Sequence, residues 1–110
     1  KLIGYVIATL AIDSADILNI AIDSGYQRQG YATKLLSHLV SEFSEKGAKE
    51  VFLEARASNN GAISFYNSQG FKQISVRKNY YMKNSNDSTE REDGIIMRLE
   101  IATTENNNAL

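Results

Sequence analysis

An apolar strand that breaks into a polar, glycine-bearing turn and then re-emerges as a long amphipathic helix constrains this chain more than any other feature. Ile17 to Ile22 is dense in apolar side chains, Asp23 to Gly30 reads DSGYQRQG, and Ala32, Leu35, Leu36, Leu39, Val40 and Phe43 then recur at i, i+3 and i+4. That spacing places one apolar stripe on a helix, and Gly47 is predicted to end it. Upstream, Lys1 to Leu10 is rich in β-branched and aromatic residues, and Ile12 to Asp16 interrupt the pattern, so a hairpin with Ile17 to Ile22 is predicted. Downstream, Val51, Leu53 and Ala55 alternate with Phe52, Glu54 and Arg56, the period of a strand, and the apolar bias suggests an interior one. Ser58 or Asn59 can cap a second helix carrying Ala62, Ile63 and Tyr66, with Gly70 as its C′ residue before a strand from Phe71 to Arg77. Lys83 to Asp93 (KNSNDSTERED) reads as a loop, opened by Tyr80 and Tyr81, before a last strand from Gly94 to Ile101. The result is an α/β (α+β) chain, with one domain over residues 1–102 and a polar tail over 103–110.

The composition narrows what such a chain can do. At 110 residues and 43% hydrophobic content it can bury one core. With 12 Lys+Arg against 13 Asp+Glu it lacks the basic footprint of a nucleic-acid binder. It has no cysteine and one histidine, so thiolate chemistry, disulfides and an unaided zinc site are not expected. No apolar run approaches a membrane span, and a cytoplasmic setting without membrane or metal is the expectation.

The turn QRQGYA, Gln27 to Ala32, is the first functional signal. A helix N-terminus presents unpaired N–H groups and partial positive charge, and Gly30 lets the backbone approach an anion, so the turn can cradle a pyrophosphate without a Walker lysine. Arg28 can add charge. Taken alone, the hexapeptide is equally consistent with an ordinary strand-to-helix turn.

The pattern Gln/Arg-x-x-Gly-x-Gly/Ala after a strand resembles the signature of the GNAT acetyltransferase superfamily, matched here by Gln27, Gly30 and Ala32. The resemblance continues through LNIAIDSGYQRQGYATKLL, LEARASNNGAISFYNSQGF, RKNYY and REDGIIM, nearly the whole chain to Leu99, and is strongest to the RimI-like N-acetyltransferases of ribosomal-protein N-terminal alanine. It implies a mixed, mostly antiparallel central sheet with helices on both faces. It also implies acetyl-CoA as co-substrate, bound by Ile20, Ala21 and Ile22 on the strand, by Arg28, Gln29, Gly30, Tyr31, Ala32 and Thr33 on the turn, and by Asn59. The partner it implies is the N-terminus of a small-subunit ribosomal protein.

The chemistry of acetyl transfer to an amine tells which side chains matter. An α-amine has a pKa of about 7.7–8.0, so a base is required before or during attack on a thioester. Glu54 lies in a strand otherwise built for burial; the residues alone leave it as an ion-pair partner of Arg56 or another cation, or as a working carboxylate. The resemblance makes it the general base. Tyr66, a core tyrosine by pattern, becomes by resemblance the acid that protonates the CoA thiolate. Asn59 is a helix cap by pattern and a cofactor ligand by resemblance. Tyr80 and Tyr81 are either aromatic packing at a strand end or hydrogen-bonding partners for the substrate's first residues. With no cysteine and no Ser–His pair, direct attack in a ternary complex is expected, the thioester carbonyl being polarised by backbone N–H groups of the strand ending at Ile22. His38 has no expected role.

The family carries a first strand and two helices that this sequence lacks, so an N-terminally incomplete domain is expected, monomeric or weakly dimeric through an exposed sheet edge. Two other functions remain open on the residues: a GNAT enzyme for another protein N-terminus, a lysine or a small amine, and a CoA-binding module without turnover.

Overall fold

The computed structural model describes residues 3–83 and 90–101; the expected tail over 103–110 and the middle of the expected loop lie outside them. The elements are β1 (Gly4–Leu10), β2 (Ser14–Ile22), a 3-10 turn (Ser24–Tyr26), α1 (Tyr31–Glu45), β3 (Glu50–Arg56), α2 (Asn60–Ser68), β4 (Lys72–Met82) and β5 (Arg91–Glu100). The strands follow the order β1-β2-β3-β5-β4 in one five-stranded sheet, antiparallel in the pairs β1·β2 and β4·β5. This is the mixed α/β class expected from the sequence. Two compact units divide the chain, one reaching Val51 and including Glu100 and Ile101, the other spanning Phe52–Leu99.

In the first unit, β1 and β2 pair from Gly4↔Ile22 to Leu10↔Ala15. The register slips after Ile7, which faces Asn19, whereas Ala8 faces Ile17; Leu18 is therefore an extra residue on β2, a β-bulge. The strands close tightly at Gly4, where a Cβ would come 2.6 Å from Ile22 Cδ1 and 2.7 Å from the Ala21 carbonyl oxygen. Helix α1 packs on this hairpin, burying Leu36 and Phe43 of its apolar stripe. Its end is the predicted one. Gly47 takes φ 93°, its N–H donates to Ser44 O at 3.1 Å, and the Ala48 N–H donates to Phe43 O at 2.9 Å, which is a complete Schellman closure.

In the second unit, Leu53 and Ala55 are buried while Phe52, Glu54 and Arg56 are half-buried, as the alternation required. Asn59 caps α2 by accepting the Ala62 N–H at 3.1 Å. Gly70 (φ 99°) closes it with the same pair of bonds, Gly70 N–H to Asn67 O and Phe71 N–H to Tyr66 O. The closure brings Phe71 against Tyr66, ring centroids 5.7 Å apart, and Phe71 and Met97 are fully buried. Full burial of such a side chain stabilises by roughly 1.5–3 kcal/mol.

Three strand boundaries differ from expectation. β2 begins at Ser14 rather than Ile17, because Ala15 and Ile17 alternate inward around exposed Asp16. β4 runs past Arg77 to Met82, and β5 begins at Arg91 rather than Gly94, so Tyr80 and Tyr81 lie within a strand and Arg91 to Asp93 are not loop. The polarity of Glu92 and Asp93 is compatible with a strand because their carboxylates are occupied by partners on neighbouring segments.

Candidate active site

The turn after β2 is stitched by its own side chains. Asp23 Oδ1 accepts the Gly25 N–H, Gln27 Nε2 donates to Ile22 O at 2.9 Å, and Gln29 Nε2 donates to Gly25 O at 3.2 Å. Arg28 (φ 62°) and Gly30 (φ 84°) both occupy the left-handed region, which turns the chain sharply into α1. Gly30 is the N-cap, and among the described residues no side chain caps this helix. The first intrahelical bond runs from Lys34 N–H to Gly30 O, so the N–H groups of Tyr31, Ala32 and Thr33 stand at the helix mouth. Among the described residues, nothing beyond its chain neighbours and its own helix lies within 4 Å of where a Gly30 Cβ would be. Uncapped donors, the helix dipole, open space beside Gly30 and exposed Arg28 are the properties a pyrophosphate needs. Ile20, Ala21 and Ile22 are half-buried and pair on one side with Val6, Tyr5 and Gly4.

In the second unit, Glu54 stands at the centre of a cluster drawn from three strands. Its Oε2 receives Arg77 Nε at 3.3 Å, and the carboxylate is about one-fifth exposed (22%). The cation it meets is Arg77, whereas Arg56 turns to Glu92 and donates to Met82 O. A methyl group on Gly94 would collide with Glu54 Oε2 as the side chain is placed, so the glycine makes room for the carboxylate. Tyr80 and Tyr81 pack edge to face, centroids 5.0 Å apart, and each carries an arginine: Arg77 lies 3.4 Å from the Tyr80 ring centre and Arg56 lies 4.5 Å from that of Tyr81. Burial, and then the charge of Glu54 and a hydrogen bond to it, hold the Tyr81 hydroxyl above the ordinary phenol pKa.

The tyrosine pair owes its placement to a register shift. Arg77 faces Gly94 and Tyr81 faces Glu92, so β4 takes four steps where β5 takes two. The surplus is accommodated at Asn79 (φ 53°), whose N–H donates to Asp93 Oδ1 at 2.9 Å, with Lys78 Nζ 3.7 Å from the other oxygen of Asp93. Glu92 Oε1 accepts the Ser58 N–H at 2.9 Å, which ties the entry of α2 to β5. Sequence reasoning attached no role to Arg77, Glu92 or Asp93. Their signal was present in RKNYY and REDGIIM, but a residue's partner across a sheet depends on a register that those letters do not reveal.

The Ser58 hydrogen bonds, followed by Arg56, hold Glu92 below the usual carboxylate pKa against some burial. A depressed folded-state pKa means that this stabilisation is complete above the unfolded value of about 4.3 and is lost as pH falls through the folded one. Glu92→Gln is therefore expected to melt earlier than wild type at neutral pH, with the two thermal curves converging in acid. A constant gap down to low pH would contradict that linkage.

Tyr66 lies on α2, 8% exposed, against Phe65 and Phe71. Burial raises its pKa. Among the described residues its hydroxyl makes no hydrogen bond. Asn59 is the cap that its position predicted. His38 pairs with Glu42, one turn away on the exposed face of α1. Among the described residues no three acidic or histidine side chains gather into a metal site, and no helix is long and apolar enough to cross a membrane.

Comparison with known proteins agrees with this geometry. Residues 1–71 match the model of the acetyltransferase (GNAT) family. The [ribosomal protein bS18]-alanine N-acetyltransferase of Escherichia coli K12 is 42% identical over 102 residues, covering 93% of this chain and 66% of that protein. The chain thus spans just under two thirds of that relative's length. The crystal structure of the ribosomal-protein-S18-alanine N-acetyltransferase from Escherichia coli superposes with a TM-score of 0.81 at 43% identity, over 91% of this chain and 62% of that one. Chaetomium thermophilum Naa20 in complex with a bisubstrate analogue gives a TM-score of 0.81 at 26% identity, over 97% and 63%. The uncapped helix after β2, the interior strand bearing Glu54 and the family match over both place this chain in the GNAT family of acetyltransferases.

Proposed function

We propose that this chain belongs to an acetyl-CoA-dependent N-acetyltransferase that modifies the N-terminal alanine of a ribosomal protein in the cytoplasm. The observation that carries the reading is the half-buried Glu54 carboxylate set beside Tyr80 and Tyr81, downstream of an uncapped helix N-terminus suited to pyrophosphate. The 42% identity to an enzyme named for that substrate supports the choice among acceptors.

In this reading Arg28 to Thr33 hold the pyrophosphate and Ile20 to Ile22 meet the pantetheine arm, with Asn59 as a further ligand. Glu54 takes a proton from the substrate ammonium, directly or through water. The freed amine attacks the thioester carbonyl carbon, the new C–N bond forms as the C–S bond breaks, Tyr66 gives its phenolic proton to the departing sulfur, and the second proton lost by the nitrogen returns through solvent to the tyrosinate. Tyr80 and Tyr81 hold the backbone of the substrate's first residues. One observation favours a second reading: the Arg77 ion pair gives Glu54 a structural task, as a CoA-binding module without turnover would require.

Release of CoA from acetyl-CoA, with a peptide beginning in alanine beside the same peptide acetylated at its N-terminus, tests the proposal. Release only with the free N-terminus supports it. Equal release with free lysine or a small amine would move the assignment to a different acceptor, and binding of acetyl-CoA without release would favour the module.

A further inference from the structure

We propose that Arg77 is a positioning residue for the transfer, fixing the Glu54 carboxylate through one oxygen and biasing the bound amine toward its neutral form through charge. This rests on the reading of Glu54 as the proton acceptor.

Arg77 reaches two groups at once. Its Nε donates to Glu54 Oε2, and its guanidinium carbon lies over the Tyr80 ring, 3.4 Å from the centre. The stack and the hydrogen bond together restrain a side chain that would otherwise sample many rotamers, and only a planar donor can do both. Arg77 holds Oε2, the oxygen for which Gly94 leaves room, and the Tyr81 hydroxyl also hydrogen-bonds the carboxylate. As a stabilising ion pair the contact is weak, since Arg77 is 41% exposed. Its position matters more than its contribution to folding.

A protonated α-amine beside Glu54 is a second cation near Arg77. The charged and titratable neighbours are Glu54 and Arg56 on β3, Arg77, Lys78, Tyr80 and Tyr81 on β4, and Glu92 and Asp93 on β5. Arg56 is matched by Glu92 and Lys78 by Asp93, so Glu54 and Arg77 are the pair that an arriving ammonium perturbs. Repulsion from Arg77 disfavours the ammonium and favours the amine that attacks.

The test is kcat against pH for wild type, Arg77→Gln, Arg77→Lys and Tyr80→Leu, with a thermal melt and acetyl-CoA affinity for each. Arg77→Gln is expected to move the ascending limb up by about 0.5–1 pH unit, because a neighbouring positive charge has been removed. Arg77→Lys keeps the charge and is expected to restore the limb while leaving a lower plateau. Tyr80→Leu removes the ring contact together with a proposed substrate contact, so its kcat is expected to fall while the position of the limb stays. A superposable Arg77→Gln profile, or an equal displacement in Arg77→Lys, would overturn the proposal. Should Glu54→Gln lose turnover while Arg77→Gln keeps the wild-type profile, only this inference fails; should Glu54→Gln remain fully active, the reading beneath it fails.

Discussion

Glu54→Gln is expected to lower kcat by roughly 10²- to 10⁴-fold, the range for removing a positioned general base, with acetyl-CoA affinity unchanged. The substitution is nearly isosteric, and the amide oxygen can still accept from Arg77 Nε, so the geometry of the cluster should persist. The lost property is the capacity to take a proton. Two further features make the prediction specific. The pyrophosphate is assigned to Arg28 to Thr33 at the start of α1, not to the carboxylate on β3. The Arg77 pair is also too exposed for its loss to unfold the chain: pairs of this kind contribute about 0–1 kcal/mol. A steady-state assay beside isothermal titration with acetyl-CoA separates the outcomes. Turnover equal to wild type would remove Glu54 as base; loss of turnover with retained affinity would exclude the module without catalysis.

How much of this was legible in the letters depends on the range of the interaction that decides each feature. The two Schellman closures were readable at Gly47 and Gly70, since a glycine after an apolar stripe reports a local backbone need. The Asn59 cap was readable for the same reason, and so was the alternation that sets Glu54 opposite Leu53. Long-range partners were not. Glu54 was expected to meet Arg56 or another cation, and register delivered Arg77, twenty-three positions away, because β4 and β5 place Arg77 opposite Gly94. The strand identity of Arg91 to Asp93 was hidden for a related reason: a charged triplet looks like loop until Ser58 and Asn79 supply N–H partners across the unit. The bulge at Leu18 has no local mark, since it comes from the mismatch of two strand lengths that each look regular alone.

Tyr66 separates chemistry from packing more sharply than any other position. Tyr66→Phe is expected to keep the fold, because the ring stays between Phe65 and Phe71 and the hydroxyl removed has no partner among the described residues. Its kcat should nevertheless fall by about 10²-fold if the phenol protonates the departing thiolate. Tyr66→Ala empties a site only 8% exposed and should cost about 3–5 kcal/mol in a urea titration, as loss of a buried aromatic does. The pH dependence carries a sign that can be checked. Burial raises the Tyr66 pKa, so the neutral form that donates is present at neutral pH and persists past the ordinary phenol value of about 10. The stability it contributes is whole below that value and is lost as pH rises through the folded-state pKa. A descending kinetic limb due to Tyr66 must therefore lie above about 10 and vanish in Tyr66→Phe. Full activity in Tyr66→Phe would leave the residue with its packing role alone, and the leaving thiolate would then take its proton from another donor.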